Sequence, residues 1–270
     1  MEQVSRAANS EASNEIGLTP SFRLDGRTAI VTGASSGLGE RFVRVLHHAG
    51  AQVVGLARRA ERLEMLAHEL GNRMIPFSCD VSVDGQVDVV MAKILERVEG
   101  RVDVLVNNAG ISKVVAAEDE QREDFRRVVD VNLNAVFGLS QSVGRIMLRQ
   151  QYGSIVNIAS MMGLVAGAPM KQASYCASKA GVINLTRELA VQWARKGVRV
   201  NAIAPGFFPS EMTADLFKNE KPMEFLRRNC PMGRGGKIHE LDGALLFLAS
   251  DASSYMTGQT LVIDGGWTAR

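Results

Sequence analysis

Tyr175 and Lys179 stand four residues apart in Tyr175-Cys176-Ala177-Ser178-Lys179. That interval is about one helical turn, so in a helix both side chains leave the same face. A free phenol has a pKa near ~10 and gives up its proton poorly at neutral pH. An ammonium group held beside it favours the phenolate and lowers that value. Such a pair can donate or accept a proton near pH ~7. Spacing alone does not establish this, because Tyr/Lys pairs at i,i+4 also decorate ordinary solvated helix faces.

A second candidate lies near the N-terminus. Arg27-Thr28-Ala29-Ile30-Val31-Thr32 is a short β-branched run and reads as a buried strand. Gly33-Ala34-Ser35-Ser36-Gly37-Leu38-Gly39 follows directly, and a helix is expected over residues 40–49, with Phe42, Val43, Leu46 and Ala49 on one face. A strand, a glycine-rich turn and a helix make a phosphate cradle. The glycines let backbone N–H groups approach a diphosphate, and the helix N-terminus adds positive potential. The spacing is Gly-x3-Gly-x-Gly. It is neither the Gly-x-Gly-x2-Gly fingerprint nor a P-loop, which ends in Gly-Lys-Ser/Thr. An ordinary strand-to-helix turn is the alternative reading.

The rest of the chain supplies the elements to position these residues. Further strands are predicted over 52–57, 74–79, 102–106, 154–159, 198–204 and 260–264. Helices are predicted over 60–70, 85–98, 121–150 with a break near Val131, 173–195 and 240–249. Alternating strands and helices imply an α/β fold with a parallel sheet covered on both faces. Right-handed crossovers then give a doubly wound sheet, with ligands at the carboxyl ends of its strands.

Taken together, these motifs resemble the short-chain dehydrogenase/reductase family. Thr32-Gly33-Ala34-Ser35-Ser36-Gly37-Leu38-Gly39 is similar to the family's Thr-Gly-x3-Gly-x-Gly, and Asn107-Asn108-Ala109-Gly110 to its Asn-Asn-Ala-Gly. Tyr175 to Lys179 matches its Tyr-x3-Lys, and Pro205-Gly206 its Pro-Gly. The four motifs occur in the family's order between about Leu24 and Trp267. The resemblance implies a single Rossmann-fold domain over residues 22–270 with a sheet of about seven strands. It also implies interconversion of a ketone and a secondary alcohol with a nicotinamide cofactor.

The same resemblance implies residue roles. Tyr175 is the general acid in reduction and the base in oxidation, while Lys179 lowers its pKa and bonds the nicotinamide ribose. Ser160 donates a hydrogen bond to the substrate oxygen. Asn132 helps hold a water that relays protons with Lys179; its other reading is a helix-breaking polar residue bonded to backbone. Ser160 lies farther ahead of Tyr175 than in many relatives, which implies a short insertion within residues 161–172. Ser174 is the competing hydroxyl, but it adjoins Tyr175 and is expected to point elsewhere.

Gly33, Ser35, Ser36, Gly37, Leu38 and Gly39 are implied to cradle the cofactor diphosphate. Asp80 and Val81 are implied to meet the adenine, and Asn107, Ala109 and Gly110 the ribose. Asn107 reads equally as a strand-stitching amide. Pro205, Gly206, Phe208 and Ser210 are implied to cover the nicotinamide. An acidic residue at the end of the second strand would bond the ribose hydroxyls of NAD. Ala57 stands there, followed by Arg58 and Arg59. Guanidinium groups suit a 2′-phosphate in charge and geometry, so NADP is expected over NAD.

For the substrate, Met162, Phe207 and Met212 join Ser160 as lining candidates, within a set that also holds Met161, Val165, Gly167, Phe208 and Phe217. These favour a hydrophobic ketone or acyl chain, and they are equally compatible with core packing. Glu211, Lys171 and Gln172 would suit a polyol instead. Residues 213–230 are expected to form a lid. The chain is similar both to 3-oxoacyl-(acyl-carrier-protein) reductases and to gluconate or sugar dehydrogenases of the family. Arg126, Arg127 and Arg149 are candidates for a basic rim that an acidic carrier protein would need. A cofactor-binding sensor without turnover is the remaining reading. The full set of Asn132, Ser160, Tyr175 and Lys179 argues against it.

Composition agrees with one soluble domain. Thirty-one Lys and Arg against 29 Asp and Glu give a net charge of +2, no signature of nucleic-acid binding. No apolar run approaches about 18 residues, so no membrane span is expected. Cys79, Cys176 and Cys230 are scattered, which points to reduced thiols in a cytoplasmic setting and to no metal site. Residues 1–21 are polar, lack a secretory apolar core and read as a flexible tail. The family resemblance implies a homotetramer. Residues 132–150 and 173–195 would pair between subunits, and residues 258–270, with Trp267, would form a second contact.

Overall fold

The computed structural model describes residues 21–270 apart from Ala168. The tail expected over residues 1–21 therefore lies outside the described residues, except for Ser21. In chain order the strands are β1 Thr28–Thr32, β2 Gln52–Ala57, β3 Met74–Ser78, β4 Val104–Asn107, β5 Gly153–Ile158, β6 Val198–Pro205 and β7 Thr260–Ile263. They form one parallel sheet in the order β3-β2-β1-β4-β5-β6-β7. The chain reverses its direction of travel across the sheet between β1 and β4. The connections that leave their carboxyl ends pass to opposite faces of the sheet there, which leaves a crevice suited to a ligand.

The helices are α1 Gly37–His48, α2 Ala60–Leu70, α3 Asp84–Arg97, α4 Arg122–Val129, α5 Ala135–Gln150, α6 Ala173–Trp193, α7 Ala214–Lys218, α8 Glu220–Asn229 and α9 Asp242–Ala249. One face of the sheet is covered by α1, α2 and α9, through Phe42, Leu46, Leu63, Leu245 and Leu248. The other is covered by α3, α5 and α6, through Ile94, Leu139, Val143, Met147 and Leu189. Because both faces are dry, β1 reads as an unbroken apolar run between two threonines and every residue in it is buried. Each fully buried side chain of the Leu46 or Ile94 kind contributes about 1.5–3 kcal/mol of transfer free energy.

Three details of these elements bear on the site. The first helix begins at Gly37 rather than residue 40, so the glycine turn and the helix N-terminus are one feature. The break expected near Val131 is a π turn, Asp130–Asn134, between α4 and α5. Such single wide turns recur at functional sites. Residues 213–230, expected as a lid, fold into α7 and α8.

Candidate active site

The glycine turn forms one end of the site. Gly33 and Gly37 have φ of +66° and +55°, values a side chain rarely tolerates. At Gly33 a Cβ would also stand 2.8 Å from Asn108 Nδ2. Thr32 fixes the neighbouring strand end, because its Oγ1 accepts from the backbone N–H groups of Asn108 and Ala109, both at 2.9 Å. Ser36 precedes α1 with extended backbone and places no side-chain cap on the helix. The first N–H groups of this twelve-residue helix therefore face the cleft without a capping side chain. Such a helix start is suited in geometry and charge to seat a diphosphate.

Ser160, Tyr175 and Lys179 meet at the other end of the same cleft, which measures about 690 Å³. Ser160 ends the loop after β5 and caps a 3₁₀ turn, accepting from Met162 N at 3.1 Å. Tyr175 and Lys179 lie in the first two turns of α6. Lys179 Nζ donates to the carbonyl oxygen of Ile158 at 2.7 Å and lies 5.8 Å from the centre of the Tyr175 ring.

The charge balance differs from the sequence expectation that Lys179 lowers the phenol. Burial pushes the Tyr175 phenol up, and a hydrogen bond with Ser160 opposes this only in part. Burial also pulls Lys179 down, to about 8. The two groups share one dry pocket, so desolvation penalises phenolate and ammonium together. A raised phenol retains its proton near neutrality, which suits a proton donor.

Asn132 sits in the π turn, fully buried. Its Oδ1 accepts from Ile111 N at 2.9 Å, and its Nδ2 donates to Ile111 O at 2.9 Å and Ser178 Oγ at 3.0 Å. The side chain thus ties the loop after β4 to α6. Gly110 leaves space between it and the lysine: a Cβ there would stand 3.3 Å from Asn132 Oδ1 and 3.5 Å from Lys179 Nζ.

Nearly all the residues singled out for the cofactor line this cleft. Ser35, Ser36, Leu38 and Gly39 do so at the turn, with Arg58, Arg59, Asp80 and Val81 beyond β2 and β3. Ala109, Gly110, Pro205, Gly206, Phe208 and Ser210 close the opposite wall. Asn107 does not line it. That side chain is buried under the cleft floor, where Nδ2 donates to Asn157 Oδ1 at 2.9 Å and Ser140 Oγ at 3.0 Å. Its amide stitches β4 to β5 and α5, and Asn108 supplies the cleft wall instead.

The substrate candidates divide. Ser160 and Met212 line the cleft. Met162 and Phe207 belong to an apolar cluster beside it with Met161, Leu226 and Trp267. Trp267, expected at a subunit contact, is turned into its own chain. The residue is 7% exposed, and its ring meets Phe207 edge-on at 5.1 Å and Phe225 at 6.1 Å. Ser174 points away from the site and donates to Glu120.

Arg62 escaped the sequence reading. It lies one helical turn beyond Arg59, and both guanidinium groups donate to Glu211. Only the recurrence of arginine at i and i+3 hinted at it. Among the described residues no group of three or more His, Cys, Asp or Glu is placed to hold a metal ion, and no helix is long and apolar enough to cross a membrane.

Comparison with known proteins gives the lineage. A family profile described as enoyl-(acyl carrier protein) reductase matches residues 33–268. Nodulation protein G of Rhizobium sp. (strain N33) is 44% identical over 246 residues, covering 91% of this chain and 98% of that protein. A 3-oxoacyl-(acyl-carrier-protein) reductase of Thermotoga maritima is 41% identical, covering 91% of this chain and 99% of the other. The crystal structure of a gluconate 5-dehydrogenase from Burkholderia cenocepacia J2315, in complex with NADP and tartrate, superposes with a TM-score of 0.88. It is 37% identical and covers 93% of this chain and 98% of that one. With these likenesses spanning nearly its whole length, the chain belongs to the short-chain dehydrogenase/reductase family and is a nicotinamide-dependent oxidoreductase acting on CH–OH groups.

Proposed function

We propose that the enzyme is NADP-dependent and interconverts a ketone and a secondary alcohol, with Tyr175 as general acid and base and a hydrophobic or 3-oxoacyl ketone as substrate. The observation that carries the reading is the meeting of Ser160, Tyr175 and Lys179 in the cleft that also holds the uncapped start of α1. The bound nicotinamide supplies or accepts the hydride. The side chains handle the proton and the developing negative charge. In reduction, Tyr175 Oη gives its proton to the substrate oxygen. Ser160 Oγ accepts from Met162 N, and its hydroxyl, which otherwise meets the Tyr175 oxygen, turns its hydrogen to the substrate oxygen when substrate is bound. Lys179 in its charged form favours the phenolate left behind. Asn132 acts as a positioning residue, holding the Ile111 backbone against α6.

NADP is favoured over NAD by Ala57 at the end of β2, where an acidic residue would repel a phosphate, and by Arg58 and Arg59 beside it. The apolar Phe208 and Met212 favour a hydrophobic substrate, in keeping with the similarity to 3-oxoacyl reductases. A gluconate-type polyol dehydrogenase is the second reading, motivated by the likeness to the Burkholderia enzyme. A cofactor sensor without turnover would not need the buried phenol. We assign a homotetramer in the cytoplasm on family grounds.

The test follows nicotinamide absorbance with NADPH and NADH separately. The panel holds 3-oxoacyl thioesters, simple ketones and, in the oxidative direction, gluconate and polyols. The expected result is fastest turnover of a ketone or 3-oxoacyl thioester with NADPH. Faster oxidation of a polyol with NAD would overturn both cofactor and substrate assignments.

A further inference from the structure

The arm that leaves β6 crosses the mouth of the cleft and grips the far side. In the sheet order β2 and β6 are separated by β1, β4 and β5, about 19 Å at a strand spacing of ~4.8 Å. Glu211 nevertheless reaches the start of α2. Its carboxylate accepts from Arg59 Nη1 at 3.0 Å on both oxygens, from Arg62 Nη1 at 2.6 Å and from Ser36 Oγ at 3.2 Å. Arg59 also donates to Ser35 Oγ at 3.1 Å and Ser36 Oγ at 2.6 Å. The arm lies directly on the glycine turn, where a Cβ on Gly37 would touch Ser210 Cβ at 3.4 Å.

Hydrogen bonds from Arg59 and then Arg62 hold the Glu211 carboxyl down at about 2, so it is ionised at any working pH. A carboxylate therefore already occupies the guanidinium groups that follow β2. This is the end of the fold at which the ribose 2′ position is recognised. Ala57 removes the acidic residue from β2 itself. Glu211 returns a negative charge to the same place from across the cleft.

We propose that Glu211 sets the cofactor preference of this enzyme by competing with a 2′-phosphate for Arg59 and Arg62. The inference rests on the NADP reading above and sharpens it. A dianionic phosphate meets a carboxylate at its binding groups and must displace it. The exchange is feasible because Glu211 is more than half exposed and such pairs are individually weak. An unphosphorylated ribose makes no claim on the guanidinium groups and leaves the contact in place. The arm thus narrows the advantage that Arg59 and Arg62 would otherwise give to NADP.

The test compares wild type with Glu211→Gln, a change of charge with little change of shape. Binding of 2′-phosphoadenosine 5′-phosphate and of 5′-AMP is measured by calorimetry, and that of NADPH and NADH by fluorescence titration. The two adenosine fragments lack the nicotinamide, so contacts around that ring play no part. The expected result is binding of both 2′-phosphorylated probes tightened by about tenfold, with 5′-AMP and NADH changed by less than about twofold. No gain for the phosphorylated probes overturns the proposal. An equal change for all four probes overturns it too, since it would mean that Glu211 shapes the arm rather than competes. If wild type prefers NADH while Glu211→Gln still gains for the phosphorylated probes, the NADP assignment fails and the competition stands.

Discussion

Gly163 is the place where a single methyl group would most directly separate the catalytic elements. It follows Ser160 by three residues in the 3₁₀ turn and lies against the backbone of α6 at Lys179. A Cβ there would stand 2.7 Å from Lys179 C, 2.8 Å from Lys179 O and 2.9 Å from Ala180 N. Ordinary contact begins at 3.4 Å, so about 0.7 Å must be found, and backbone rather than a flexible side chain must yield. The φ of Gly163 is not positive, so alanine has no conformational reason to be refused. Its effect is a wedge between the turn carrying Ser160 and the helix carrying Tyr175 and Lys179. Overpacking of this kind costs about 1–3 kcal/mol, a few degrees in Tm. A misplacement approaching 1 Å between reacting groups costs on the order of 10²-fold in rate. Gly163→Ala is therefore expected to lower kcat by about 10- to 100-fold. Cofactor affinity should change by less than about threefold, because the wedge is remote from the glycine turn. Steady-state turnover of the best ketone, a cofactor titration and a thermal melt measure the three quantities. A kcat within about twofold of wild type would refute the wedge argument.

Three further outcomes follow from the same geometry. Lys179 is pulled down by burial from 10.5 to about 8, so it is charged below that value and loses its proton above it. Ketone reduction is expected to decline as pH rises through about 8. Stability should rise between about 8 and 10.5, where the unfolded chain binds the additional proton. A pH–rate profile, a set of melts and Lys179→Met as control check both signs, and a rate flat across this window would contradict the first. Asn132→Ala is expected to destabilise by about 1–2 kcal/mol, since it removes the partner of the part-buried N–H and C=O of Ile111. Denaturant unfolding checks it, and an unchanged midpoint would show that Asn132 holds nothing together.

The fold was legible because its signal is local. Buried parallel strands are apolar runs, and their alternation with helices dictates the doubly wound sheet. The site was legible where its residues are neighbours in sequence: the glycine turn, Tyr175 with Lys179, and the break near Val131. What could not be read depends on long-range geometry. The grip of Arg59 on Glu211 spans 152 positions and requires the β6 arm to cross the cleft. The Asn107 amide faces Asn157, and the Trp267 ring turns inward, because of what lies beside them in space. The upward shift of Tyr175 reflects shared burial with Lys179. Spacing along a helix reports proximity but says nothing of how much water remains.

The central claim is that the Tyr175 hydroxyl is the proton donor of a cofactor-competent cleft. The most direct test measures Tyr175→Phe twice on one preparation, by cofactor titration and by turnover of the best ketone. The account predicts cofactor affinity within about threefold of wild type and a rate lowered by about 10²–10⁴-fold. Intact turnover with intact binding would contradict it and remove the phenol from the chemistry.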